Sequence, residues 1–332
     1  MSYFYKGNLV LEQQVNHFFS ILSESNEQKY GGSLSILLLG SMSRGEATGQ
    51  MTMDGRVQIL SDIEFFTVFP DGFSAFQSFT EDIKRASFDA FGEDNLNLFH
   101  VDNTYVRKSS LSQMERKLLT YDATRTGRCV VGKDVVPLLP KITIDNINWC
   151  DIWDIMTHRA FSVLYYGFPL KHQGMEDAYR YSIAKNSLDL MTVILVSKGY
   201  LESGFVRRLK LLQSLGISKE WLDYFDYCLN IKQGITSDCL YSTTEMEQIF
   251  GDILQELTDT FHIPIQNVLR NALPVLRRRM GMVKRALYCR QMPLTCRKHL
   301  NNLIACYKKK TDLDQKTMSD NYILHGYPAE RS

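Results

Sequence analysis

Hydrophobic positions follow two different rhythms in the first part of the chain. Between residues 8 and 24, Leu9, Leu11, Val15, Phe18, Phe19 and Leu22 recur at helical spacing and predict an amphipathic helix. Gly31-Gly32-Ser33 interrupts it. The run LSILLLG (34–40) then reads as a strand buried on both faces. QILSDIEFFTVFP (58–70) predicts a second strand, closed by Pro70 and the turn Pro70-Asp71-Gly72. Helical spacing returns over 73–91, and LNLFHVDNTYV (96–106) predicts a third strand. GRCVVGKDVVPLLPKI (127–142) holds a short apolar stretch broken by turns and closes the region.

From about residue 148 helical patterning dominates, over 149–167, 175–198, 203–214, 218–232, 243–262 and parts of 266–310. Ser242-Thr243-Thr244-Glu245 has the form of a capping box, and Ser218 is a second helix start. The pattern predicts an α+β region over 1–146 and an all-helical region over 147–332 with a loosely held tail.

Composition narrows the class. The chain has 332 residues, 44% of them apolar and 23% charged, enough for one large or two ordinary hydrophobic cores. Seven cysteines without framework spacing fit free thiols in a reducing compartment. The N-terminus lacks a basic-then-apolar leader pattern, and no apolar run approaches membrane-span length. A cytoplasmic protein is the expectation.

Charge is unevenly spread. Residues 260–311 hold twelve Lys or Arg and no Asp or Glu; against a whole-chain net of +1, this leaves −11 for the remainder. Leu, Val and Met interleave the basic residues, as in helices with one solvated basic face. The functional alternative is an electropositive wall toward a triphosphate, an RNA or an anionic surface. Nucleic acid is the less favoured partner, because few aromatics accompany these charges. Cys289, Cys296, His299 and Cys306 match no zinc-knuckle spacing and read as buried thiols.

The chemistry concentrates in the first region. Asp62 and Glu64 lie inside an otherwise apolar strand, where alternate residues share a face about 7 Å apart. Two carboxylates so placed repel each other and persist beside a cation or buried donors. Oxygen donors at this spacing suit Mg2+ or Mn2+. Upstream, the strand 34–40 ends in Gly40-Ser41, where a close-approaching backbone and a hydroxyl can cradle phosphate. There is no GxxxxGK[ST] and no GxGxxG at the strand end, which argues against a P-loop or dinucleotide-binding domain. Phosphate, metal and paired carboxylates together suggest phosphoryl or nucleotidyl transfer.

LLLGSMSRGE (37–46) followed by SDIEFF (61–66) resembles the signature of the DNA polymerase β-type nucleotidyltransferase superfamily, in particular its bacterial aminoglycoside and minimal nucleotidyltransferase branch. The resemblance implies a mixed sheet with flanking helices, followed by a helical C-terminal domain. It also implies transfer of a nucleoside monophosphate from a nucleoside triphosphate to a hydroxyl of a small acceptor. By the same resemblance, Gly40 and Ser41 would hold the phosphates, with Arg44 and the helical Lys185 also in the nucleotide site. Asp62, Glu64 and Asp102 would ligate metal and carry catalysis. His100 shares a strand face with Asp102 and is the alternative at the third position, in which case a base such as Glu176 would come from the helical region. The segment ATGQMTMDGRVQIL (47–60) is longer than the family usually has here and predicts a loop or hairpin turning at Asp54-Gly55. The alternative function is a non-catalytic protein of the same fold that binds a nucleotide, an RNA or a partner protein. An oligonucleotide synthase ranks below both.

Overall fold

The computed structural model describes residues 2–5, 7–51, 57–96, 99–147, 149–163, 176–234 and 239–260. The basic stretch 260–311 and the C-terminal cysteines lie outside these residues, Thr260 apart, as does the turn at Asp54-Gly55. The chain divides into two compact units. One comprises Met1–Thr143 with Ser203–Phe205, the other Ile144–Glu202 with Val206–Ser332.

The first unit is α+β. Helix α1 (Leu9–Tyr30) starts at Asn8, whose side chain accepts the Val10 and Leu11 amides and so satisfies two otherwise orphaned donors. Its buried stripe is Leu11, Val15, Phe18, Phe19 and Leu22, but Leu9 stands 72% exposed in the first turn. The apolar run at 34–40 forms β1 (Ser35–Leu38), buried throughout. The short helix α2 (Gly40–Arg44) follows directly.

A hairpin comes next, β2 (Gly49–Met51) paired antiparallel with β3 (Val57–Ile59). Of the loop or hairpin expected from the extra length, the paired strands make it a hairpin. The single strand expected over 58–70 is split, with β4 (Ile63–Phe69) beginning only after Asp62. The split has a tertiary cause. The Thr48 amide donates to the buried Ser61 hydroxyl at 2.8 Å, and the Leu60 amide donates to the Thr48 carbonyl at 2.9 Å. The chain is thus held on the hairpin until Ser61.

Helix α3 (Phe76–Leu96), kinked at Gly92, crosses to β5 (Val101–Arg107), which lies parallel to β4. Helix α4 (Leu118–Thr126) and β6 (Arg128–Val131) complete the unit. The mixed four-stranded sheet has the order β5-β4-β1-β6, with β1 antiparallel to both neighbours.

Strand alternation sends Ile36, Leu38, Ile63 and Phe65 to one core with α1 and α3, where Phe18 packs near the rings of Phe65 and Phe91. Leu37, Leu39, Phe66 and Val68 face a smaller opposite core with Leu111, Ala123, Val135 and Leu139.

The described part of the second unit is helical: α5 (Trp149–Phe161), α6 (Glu176–Ser197), α7 (Phe205–Gln213, whose first residue belongs to the first unit), α8 (Lys219–Lys232) and α9 (Thr243–Thr260). Ser218 caps α8 by accepting the Trp221 amide at 3.4 Å. The capping box at α9 closes reciprocally, the Glu245 amide donating to Ser242 Oγ at 3.2 Å and the Ser242 amide to Glu245 Oε2 at 2.7 Å. Two buried pairs tie these helices together, Tyr179 donating to Glu247 at 2.9 Å and Ser187 meeting Tyr224 at 2.8 Å. Among the described residues, no helix is long and apolar enough to cross a membrane.

Candidate functional site

The site is built where β1 ends against the start of β4. The Leu39 amide donates to the Glu64 carbonyl at 2.8 Å, extending the β1–β4 ladder by one residue. The next residue, Gly40, has φ +65°, and a Cβ there would overlap the Glu64 carboxylate at Oε2. Glycine is therefore required twice, by backbone conformation and by close approach. Ser41 follows, half-buried. The turn is held by Ser43 Oγ donating to the Gly40 carbonyl at 2.9 Å and by the Glu46 amide donating to the Ser41 carbonyl at 2.8 Å.

The two acidic strands meet in register. Glu64 on β4 is the Cα partner of Asp102 on β5. Paired residues of parallel strands point to the same side and lie about 4.8 Å apart at the backbone. Both side chains are on the face of the smaller core. Glu64 is half-buried and Asp102 exposed.

Asp62 precedes β4 rather than lying within it. Its Oδ1 accepts the His100 amide at 3.1 Å, and the Ile63 amide donates to the His100 carbonyl at 2.9 Å. These two bonds tie the start of β4 to the start of β5. His100 is exposed. Among the described residues, no three His, Cys, Asp or Glu side chains are gathered into a metal-ligating group.

Arg44 lies on the same turn but is occupied within the protein. Its side chain is 9% exposed; Nε bonds Glu46 Oε2 at 2.9 Å, Nη1 reaches Asp122 Oδ2 at 3.4 Å, and the guanidinium sits 5.4 Å from the Phe205 ring centroid. Burial is the largest influence on its proton affinity and works against the charge. Asp122, Glu46 and Glu64 outweigh it and raise the pKa above its ordinary value. Lys185 is half-buried on α6 in the second unit. Glu176, in the first turn of α6, accepts a hydrogen bond from the Thr243 hydroxyl.

The structure thus brings Gly40, Glu64 and Asp102 together in one unit, with Asp62 bracing the strands that carry the two acids. Sequence reasoning missed the partners of Arg44. Glu46 stands inside the quoted motif, two residues on, whereas Asp122 and Phe205 carry no local signal. No family model matches the chain, and no curated protein or solved structure matches it either.

Proposed function

We propose that the chain is a Mg2+-dependent nucleotidyltransferase. It moves a nucleoside monophosphate from a nucleoside triphosphate to a hydroxyl of a small acceptor and releases pyrophosphate. One observation carries the reading: the Glu64 carboxylate lies against the Gly40 backbone while Glu64 is paired in register with Asp102. An anion-cradling turn and two hard oxygen donors then share one corner of the sheet.

The donor chemistry fits a divalent cation that prefers oxygen ligands. Glu64 and Asp102 would hold it, with Asp62 fixing the start of the strands that carry them. Bound there, the metal would neutralise phosphate charge and lower the pKa of the acceptor hydroxyl. The chain's own work is positional. Gly40 and Ser41 would orient the phosphates, and the β4–β5 register would keep the carboxylates at a fixed separation, so that little reorganisation accompanies attack.

The test is radiolabel transfer from each α-labelled nucleoside triphosphate to a panel of sugars and nucleotides. Wild type is expected to transfer label with Mg2+ and not with chelator. Glu64→Gln and Asp102→Asn are each expected to lose about 100-fold or more. Metal-dependent nucleotide binding without transfer would favour the non-catalytic alternative. Transfer unaffected by both variants would refute the assignment.

A further inference from the structure

Residues 203–205 belong to the same compact unit as the sheet although they come well after its other residues in the chain. The contacts that hold them there converge on Arg44. Ser203 Oγ donates to Asp122 Oδ1 at 3.1 Å, while the other oxygen of that carboxylate, Oδ2, takes Arg44 Nη1 at 3.4 Å. Gly204 has φ +92°, and a Cβ there would come within 2.8 Å of Glu46 Oε1, on the carboxylate whose Oε2 receives Arg44 Nε. Phe205 presents its ring to the guanidinium at 5.4 Å. Ser203 thus bonds an acid that Arg44 holds, Phe205 meets Arg44 itself, and Gly204 passes too close to Glu46 to carry a side chain.

Such a site has a distinct chemistry. A buried guanidinium with two carboxylates and an aromatic face is compensated without any external anion. A phosphate there would have to compete with Asp122 and Glu46, both already committed to the cation. The geometry points to a positioning role for Arg44. It is the central pin of a latch that fastens residues 203–205 to α2, the helix that starts at Gly40 beside Glu64. The latch needs no nucleotide, and it stands whether or not the turn binds one.

The experiment is hydrogen–deuterium exchange on the full chain without ligand, comparing wild type with Arg44→Met, Arg44→Lys, Asp122→Asn and Phe205→Leu. Arg44→Met is expected to speed exchange at 203–206 and 41–46 by about tenfold or more while amides in α1 keep their rates, since local opening spares the remaining core. Phe205→Leu and Asp122→Asn should give the same pattern at smaller amplitude, and Arg44→Lys should restore part of the protection. Uniform acceleration across α1, α2 and 203–206 would show general destabilisation and overturn the latch. So would unchanged exchange at 203–206 in both Arg44→Met and Phe205→Leu. Failure of nucleotide transfer in wild type would leave this result intact, which separates the latch from the enzymatic reading.

Discussion

At the level of single residues, Gly40 is the most constrained position of the site. A side chain there costs about 1–2 kcal/mol for the left-handed backbone alone, and overlap with Glu64 adds to it. Gly40→Ala is expected to lower the denaturant midpoint and to abolish the proposed transfer, because the Glu64 carboxylate must move. A variant with wild-type stability would contradict the close approach. Asp82 offers a pH-dependent counterpart. Burial pushes its carboxyl up, but Lys29, Tyr30 and Arg85 outweigh that and hold it below the ordinary value. Tyr30 donates to it at 2.8 Å and Arg85 at 2.9 Å. A depressed folded pKa stabilises above the unfolded value and loses that contribution as pH falls. Asp82→Asn should therefore cost about 2 kcal/mol at neutral pH, with the gap to wild type closing below about pH 4. Urea melts from pH 7 to pH 3 would check this; a gap that stays constant would count against it.

Among elements, α1 and α3 press on the sheet face opposite Glu64 and Asp102, and they set the strand register from behind. Phe18 is fully buried against the aromatic rings of both layers. Phe18→Ala should cost about 3–5 kcal/mol in chemical denaturation, and a loss under 1 kcal/mol would mean the helix packs elsewhere. In α8, burial is the main cause that pushes the Cys228 thiol up to about 12. Cys239, outside that helix, is exposed. Iodoacetamide at pH 8 should modify Cys239 in the native protein and Cys228 only after unfolding; mass mapping of native Cys228 labelling would disprove its enclosure. This scale also shows what the sequence made legible. Ser218 and the Ser242–Glu245 box announced their helices because a cap is decided by residues three apart. That the extra length between Ala47 and Leu60 would form a loop or hairpin was readable, and the β2–β3 pairing decides for the hairpin. The break before β4 was not, since it depends on Thr48 reaching Ser61 through the fold. Helix α4 escaped notice because its residues 118–126 carry a short, weakly patterned segment.

Across the whole molecule, linkage tests whether nucleotide binding runs through a metal, whichever of the two candidate functions holds. Mg-ATP at about a hundred times its Kd should add about 2.7 kcal/mol to unfolding, and chelator should remove the gain if the carboxylates act through metal. A melting temperature equal in both conditions would speak against them. The Gly40–Glu64–Asp102 corner was readable as a set of residue types. That Glu64 and Asp102 are direct neighbours follows from the parallel crossover through α3, which no local pattern encodes. The role of Arg44 was the least readable, since its partners are spread from Glu46 to Phe205.

The placement of β1 also bears on how the protein is made. This strand of four residues lies inside the sheet, yet its partner on one side, β6, is synthesised only after α3, β5 and α4. Until residues 128–131 leave the ribosome, an apolar strand of the nascent chain carries an open edge. Translation arrested between β5 and β6 should accordingly yield a chaperone-dependent, aggregation-prone product, whereas release past β6 should let the sheet close.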